Sequence, residues 1–170
     1  MSFVKRLIAG ILLLLPTHAF AAERVAIEHI GCETYTVGET GHSEQCPGPA
    51  GRALVIHDRR DRVDVEILED GQTRGTDVLR LSGHLGPGRR DLNREESFWW
   101  TSKAKNPEAL ILSFLVEPRP YEESLPFTLV FRVDGTTACV VAKLHEGSTR
   151  TLDDVFGAFG DLKCRQSFGE

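Results

Sequence analysis

Residues 127–146, FTLVFRVDGTTACVVAKLHE, constrain the fold of this chain more than any other stretch. Two runs rich in β-formers flank Asp134-Gly135, a dipeptide suited to a tight hairpin because both central residues of such a turn take positive φ. With that pair at the tip, Val133 faces Thr136, Phe131 faces Ala138, Leu129 faces Val140 and Phe127 faces Ala142. The last three pairs are apolar and Leu144 extends the row, so this is a core face. The opposite face pairs Arg132 with Thr137, Val130 with Cys139 and Thr128 with Val141. A slip of one residue would exchange the two faces, so the pattern predicts its own pairing.

The chain opens MSFVKRLIAGILLLLPTHAFAAE. Lys5 and Arg6 precede an apolar run from Leu7 to Leu15, followed by Pro16 and the small-residue series around Ala19 and Ala21. This arrangement predicts a secretory signal peptide over residues 1–21, cut after Ala21. The run is well short of the roughly 20 apolar residues of a spanning helix, so no membrane anchor is expected after cleavage. Residues 22–170 are then a single exported domain, placed in the periplasm or secreted. Losing Lys5 and Arg6 takes the formal charge from -5 to -7, because residues 1–21 contain no acid. So acidic a domain releases few counterions from DNA, and nucleic acid is excluded as a partner. Four cysteines in an exported chain read as two disulfides. Of the three connectivities, Cys32–Cys46 and Cys139–Cys164 are favoured because each joins neighbouring segments of the predicted layout.

Taken in order, residues 25–30 and 33–37 read as short strands, and residues 38–51, with their glycines and prolines, as a loop. Residues 52–68 form a second hairpin around a four-residue loop, Asp58 to Asp61, pairing Ile56 with Val63 and Leu54 with Val65. Residues 77–82 are a weaker strand and residues 83–90 a surface loop. Residues 91–97 are expected to make one helical turn capped by Asn93, and residues 98–101 a strand. Residues 109–117 (ALILSFLVE) are the most continuously apolar strand and belong at the centre of a sheet. In residues 151–164, Leu152, Val155, Phe156, Phe159 and Leu162 recur at helical spacing behind the cap Thr151. The expected fold is therefore α+β: an antiparallel sheet of about six to eight strands with a C-terminal helix packed on one face.

Several of these segments, in this order, resemble a family of small exported proteobacterial proteins of unknown function. They are the export signal, Cys46-Pro47-Gly48 with the strand after Gly51, and Asp61-Arg62-Val63-Asp64-Val65. The Trp99-Trp100 segment, Ala109-Leu110-Ile111, Ala138-Cys139-Val140-Val141 and a C-terminal helix ending at Cys164 complete the set. The resemblance implies an envelope location and carries no activity.

Candidate chemistry is sparse. His29, Cys32, His42 and Cys46 permute the ligand types of a zinc site, but an oxidising compartment favours a disulfide between the two cysteines. His57, His84 and His145 are candidate acid–base groups, yet no G-x-S-x-G, S-x-x-K or H-E-x-x-H motif accompanies them. Neither a catalytic residue nor a cofactor or metal site is assigned. Trp99 and Trp100 are the candidate partner surface, since adjacent rings in a strand point to opposite faces and cannot both enter one core. The expected function is a non-catalytic, monomeric binding or interaction module of the cell envelope, inhibitor-like, whose partner is an envelope protein or a glycan. The alternative is an envelope hydrolase or redox enzyme with an unrecognised site.

Overall fold

The computed structural model of the chain describes residues 23–27, 31–37, 41–59, 62–76, 89–101, 107–117, 126–134, 137–145 and 148–165. The predicted signal peptide, the strand expected at residues 77–82, the loop at residues 83–88, His29 and His84 lie outside them.

The ten strands are β1 (Glu23–Ala26), β2 (Glu33–Val37), β3 (Gly41–Pro47), β4 (Ala53–Arg59), β5 (Arg62–Glu69), β6 (Gln72–Gly75), β7 (Arg89–Thr101), β8 (Pro107–Glu117), β9 (Phe127–Asp134) and β10 (Thr137–His145). They form two antiparallel five-stranded sheets, one ordered β1-β7-β8-β9-β10 and the other β2-β3-β4-β5-β6. The expected α+β architecture is thus corrected: the fold is nearly all β, with a single short α-helix, α1 (Leu152–Gly157), among the described residues. Three local features account for the difference. Residues 38–51 contain the full strand β3 despite their glycines and prolines. Residues 91–97 continue β7 rather than turning into a helix. The C-terminal helix stops at Gly157 after six residues, with the C-cap at Ala158.

The two sheets pack face to face. Alternation places Cys46, Leu54, Ile56, Val63, Val65 and Ile67 on the inner face of one sheet. Trp99, Leu110, Leu112, Phe114, Phe127, Leu129, Phe131 and Val140 lie on the inner face of the other, and all belong to one buried cluster. This is the two-layer core of a sandwich, in which each strand contributes every second residue. β8 is the middle strand of its sheet, as its apolar run predicts, and is buried on both faces.

Both hairpins sit two residues away from the expected register. Phe131 opposes Val140 instead of Ala138, and Ile56 opposes Val65 instead of Val63. A shift of two leaves every side chain on its face, so the apolar pattern could not detect it. A further irregularity between Val140 and Ala142 acts as a β-bulge. Ala142 and Leu144, expected beside Phe127, consequently join Val141 on the outer face, in a second cluster with Phe98, Ile111, Val130 and Val155.

The C-terminal segment covers that outer face. Phe156 stacks on Trp100 at 4.8 Å between ring centroids, and Phe159 meets the same indole edge-on at 5.6 Å. A guanidinium nitrogen of Arg132 donates to the carbonyl of Phe159. At the start of α1 a reciprocal cap forms: the Asp154 amide donates to the Thr151 hydroxyl, while the Thr151 amide donates to the Asp154 carboxylate at 2.8 Å. The backbone and side-chain hydrogen bonds from Thr151 hold the Asp154 carboxyl below its ordinary pKa. Cysteines pair as expected, Cys32 with Cys46 and Cys139 with Cys164. The second bridge lays the chain end along edge strand β10, where the Arg165 amide donates to the Val140 carbonyl at 2.8 Å. That contact uses backbone of a sheet edge that would otherwise invite another strand.

Candidate functional site

The bulge in β7 shapes a cluster of charged groups and a disulfide among the described residues. Asn93 pairs with Ser113, but Phe98 pairs with Ile111, so residues between them are surplus to the ladder. Ser97 closes the gap. Its buried hydroxyl donates to the Asn93 carbonyl at 2.7 Å and accepts from the Ser113 amide at 3.0 Å. A β-bulge re-aims the side chains it carries. Here Arg94 is sent across the gap between the sheets. Its Nη2 donates to Glu44 Oε2 at 2.5 Å, and its Nη1 lies 3.2 Å from Cys46 Sγ and 3.8 Å from Cys32 Sγ.

Alternation on β3 and β4 supplies the facing groups. His42, Glu44 and Cys46 project inward from β3, and Ile56 and Asp58 from β4. His42 Nε2 lies 3.8 Å from both Glu44 Oε1 and Asp58 Oδ2. His42, Glu44, Ile56 and Asp58, with Val63, Asp91, Leu92 and Arg94, line a cavity of about 190 Å³ at the mouth of the sandwich. The Arg94 and Glu44 side chains are only 13% and 16% exposed, so their ion pair is far less screened than a surface pair. Three carboxylates, Glu44, Asp58 and Asp91, share the cavity lining with one guanidinium and one imidazole.

A second polar line crosses the outer face of the same sheet. Ser43 Oγ is 2.7 Å from His57 Nδ1, and His57 Nε2 is 3.4 Å from Glu66 Oε2. Hydroxyl, imidazole and carboxylate are the ingredients of an activated serine. Ser43, however, is 1% exposed, which keeps its oxygen away from a substrate carbonyl.

The residues singled out in the sequence fare differently. Cys32 and Cys46 are joined to one another, which takes up the two thiolates the zinc pattern requires. Their sulfurs and the Glu44 carboxylate lie within 4.8 Å of one another, a grouping made by the disulfide itself. Trp99 is 1% exposed and buried between the sheets, so it is withdrawn from the partner surface. Trp100 does point to the opposite face, as strand alternation requires, and Phe156 and Phe159 pack against it there. His145 is exposed at the end of β10. Arg94 and Glu44 went unnoticed in the sequence. Arg94 sits in a stretch that reads as a capped helical turn, and nothing local announces a side chain that contacts the other sheet.

No family model matches the chain, and neither does any curated protein or solved structure. Among the described residues, no helix is long and apolar enough to cross a membrane.

Proposed function

We propose that this protein is an exported binding module of the bacterial envelope, periplasmic or secreted, acting as a monomer without catalysis. The carboxylate-rich mouth of the sandwich carries this reading. A cavity of about 190 Å³ is smaller than the several hundred Å³ typical of a small-molecule site, but it accommodates the end of one side chain. Glu44, Asp58 and Asp91 around Arg94 suit a lysine or arginine presented by a partner, and a cationic loop of an envelope protein meets that need better than a neutral glycan. An inhibitor-like role, in which the rim of the sandwich occludes a partner's basic cleft, follows from the same chemistry. The signal-like N-terminus, the two disulfides and the resemblance to small exported proteobacterial proteins support the location.

The test is affinity capture of envelope proteins at low and high salt, using residues 22–170 and the double variant Asp58→Asn/Asp91→Asn. Partners recovered by the parent domain at low salt should be lost from the variant and from the high-salt wash. Capture of the same set by both proteins removes the mouth as the binding surface.

A further inference from the structure

We propose that Cys32–Cys46 is a thiol–disulfide exchange site, that Arg94 receives the charge of its leaving thiolate, and that its co-substrate is an exported dithiol. The exchange is stoichiometric, one dithiol per bridge, and so adds a redox step to the binding role above without turnover. Cys32 stands one step beyond the Glu33–Gln45 pair and directly opposite Cys46, so the bridge ties adjacent strands. A neutral disulfide draws little from a guanidinium 3.2 Å away, whereas a thiolate at the same place gains a charge-assisted hydrogen bond. Arg94 thus stabilises the reduced form more than the oxidised one, which raises the reduction potential. Glu44 works against it, with its carboxylate within 4.8 Å of both sulfurs and its Oε2 on the other guanidinium nitrogen. The two residues should therefore tune the couple in opposite directions.

Exposure sets the order of events. Cys46 is 1% exposed and Cys32, though packed against the core, is the more exposed of the two, so the attack is assigned to the Cys32 sulfur. As the new S–S bond forms, the Cys32–Cys46 bond breaks and its electron pair leaves on Cys46, facing Arg94. The second sulfur of the dithiol, as a thiolate, then attacks the dithiol's own sulfur in the mixed disulfide and expels Cys32. Two electrons pass to the protein and the dithiol departs as a cyclic disulfide. Of its two protons, one goes to Cys32; the other goes to solvent while Cys46 stays a thiolate, or to Cys46 once it protonates.

The experiment equilibrates the mature protein in mixtures of reduced and oxidised dithiothreitol, quenches by alkylation and reads each cysteine pair by peptide mass. Arg94→Gln is expected to lower the equilibrium constant for reducing Cys32–Cys46 about tenfold, or about 30 mV for a two-electron couple. Arg94→Lys should recover most of that loss, and Glu44→Gln should raise the constant above the parent value. The Cys139–Cys164 pair should follow none of these changes. A constant that is unchanged or higher in Arg94→Gln overturns the proposal. A rise is what a purely structural bridge would show, because a destabilised fold is reduced more readily. Should Arg94→Gln fail to fold, an unchanged or lowered constant in Glu44→Gln, or a rise matched by an equal loss of unfolding free energy, overturns it equally.

Discussion

Gly48 packs against the largest ring in the core. A Cβ placed there would lie 3.1 Å from Trp99 Nε1 and 3.2 Å from the Arg52 carbonyl oxygen. Neither neighbour yields easily. The indole is buried, and the carbonyl already accepts the Gly48 amide at 2.8 Å. Gly48→Ala should therefore destabilise the domain by about 1–3 kcal/mol, the usual cost of overpacking. Chemical denaturation at an unchanged m-value would show it, and a variant as stable as the parent would mean that the ring moves freely. The sequence reads Gly48 as part of the loop over residues 38–51 but says nothing of Trp99, which is distant along the chain. Trp99 illustrates the same limit from the other side. Alternation demands that it and Trp100 point apart, and only the facing sheet decides that Trp99 is the one between the layers.

At the scale of the element, the β7 bulge converts a ladder defect into a contact between the two sheets. Ser97 satisfies two backbone groups that the extra residues would otherwise strand, and Ser113 is itself 4% exposed. Ser97→Ala should cost about 1–3 kcal/mol, because a buried amide and a partly buried carbonyl lose their partner. The Ser113 amide should also exchange with deuterium much faster. Slow exchange at Ser113 in the variant would show that the bulge closes without the hydroxyl. Residues 91–97 mislead a sequence reading because Asn93 and Glu96 mimic a helix cap while the strand is interrupted in its periodicity. Strand β3 hides for a related reason. Its glycine, its proline and its polar residues predict a loop, whereas hydrogen bonds to β2 on one side and β4 on the other hold it extended.

For the whole molecule, the C-terminal segment is held to the outer face by aromatic stacking, an arginine and the Cys139–Cys164 bridge. Cys139 and Cys164 are 25 residues apart in sequence. Replacing both by serine should cost about 2–5 kcal/mol, as for native disulfides in small secreted domains. Release of Phe156 from Trp100 should also shift tryptophan emission to the red. A double variant that melts and emits like the parent would show that packing alone holds the segment. The sequence by itself determined much of this molecule: the apolar face of the β4–β5 hairpin and that of β9–β10 as far as Val140, the central place of β8, the opposed tryptophans and the cysteine pairing. These follow from strand alternation and chain proximity, which are local. Tertiary structure alone decided the number of sheets, the two-residue register of both hairpins, the bulges after Val140 and Asn93, and the meeting of Arg94 with Glu44 and the disulfide. A period-two pattern is blind to a shift of two, and a charge aimed across the sandwich leaves no mark on its neighbours in the chain.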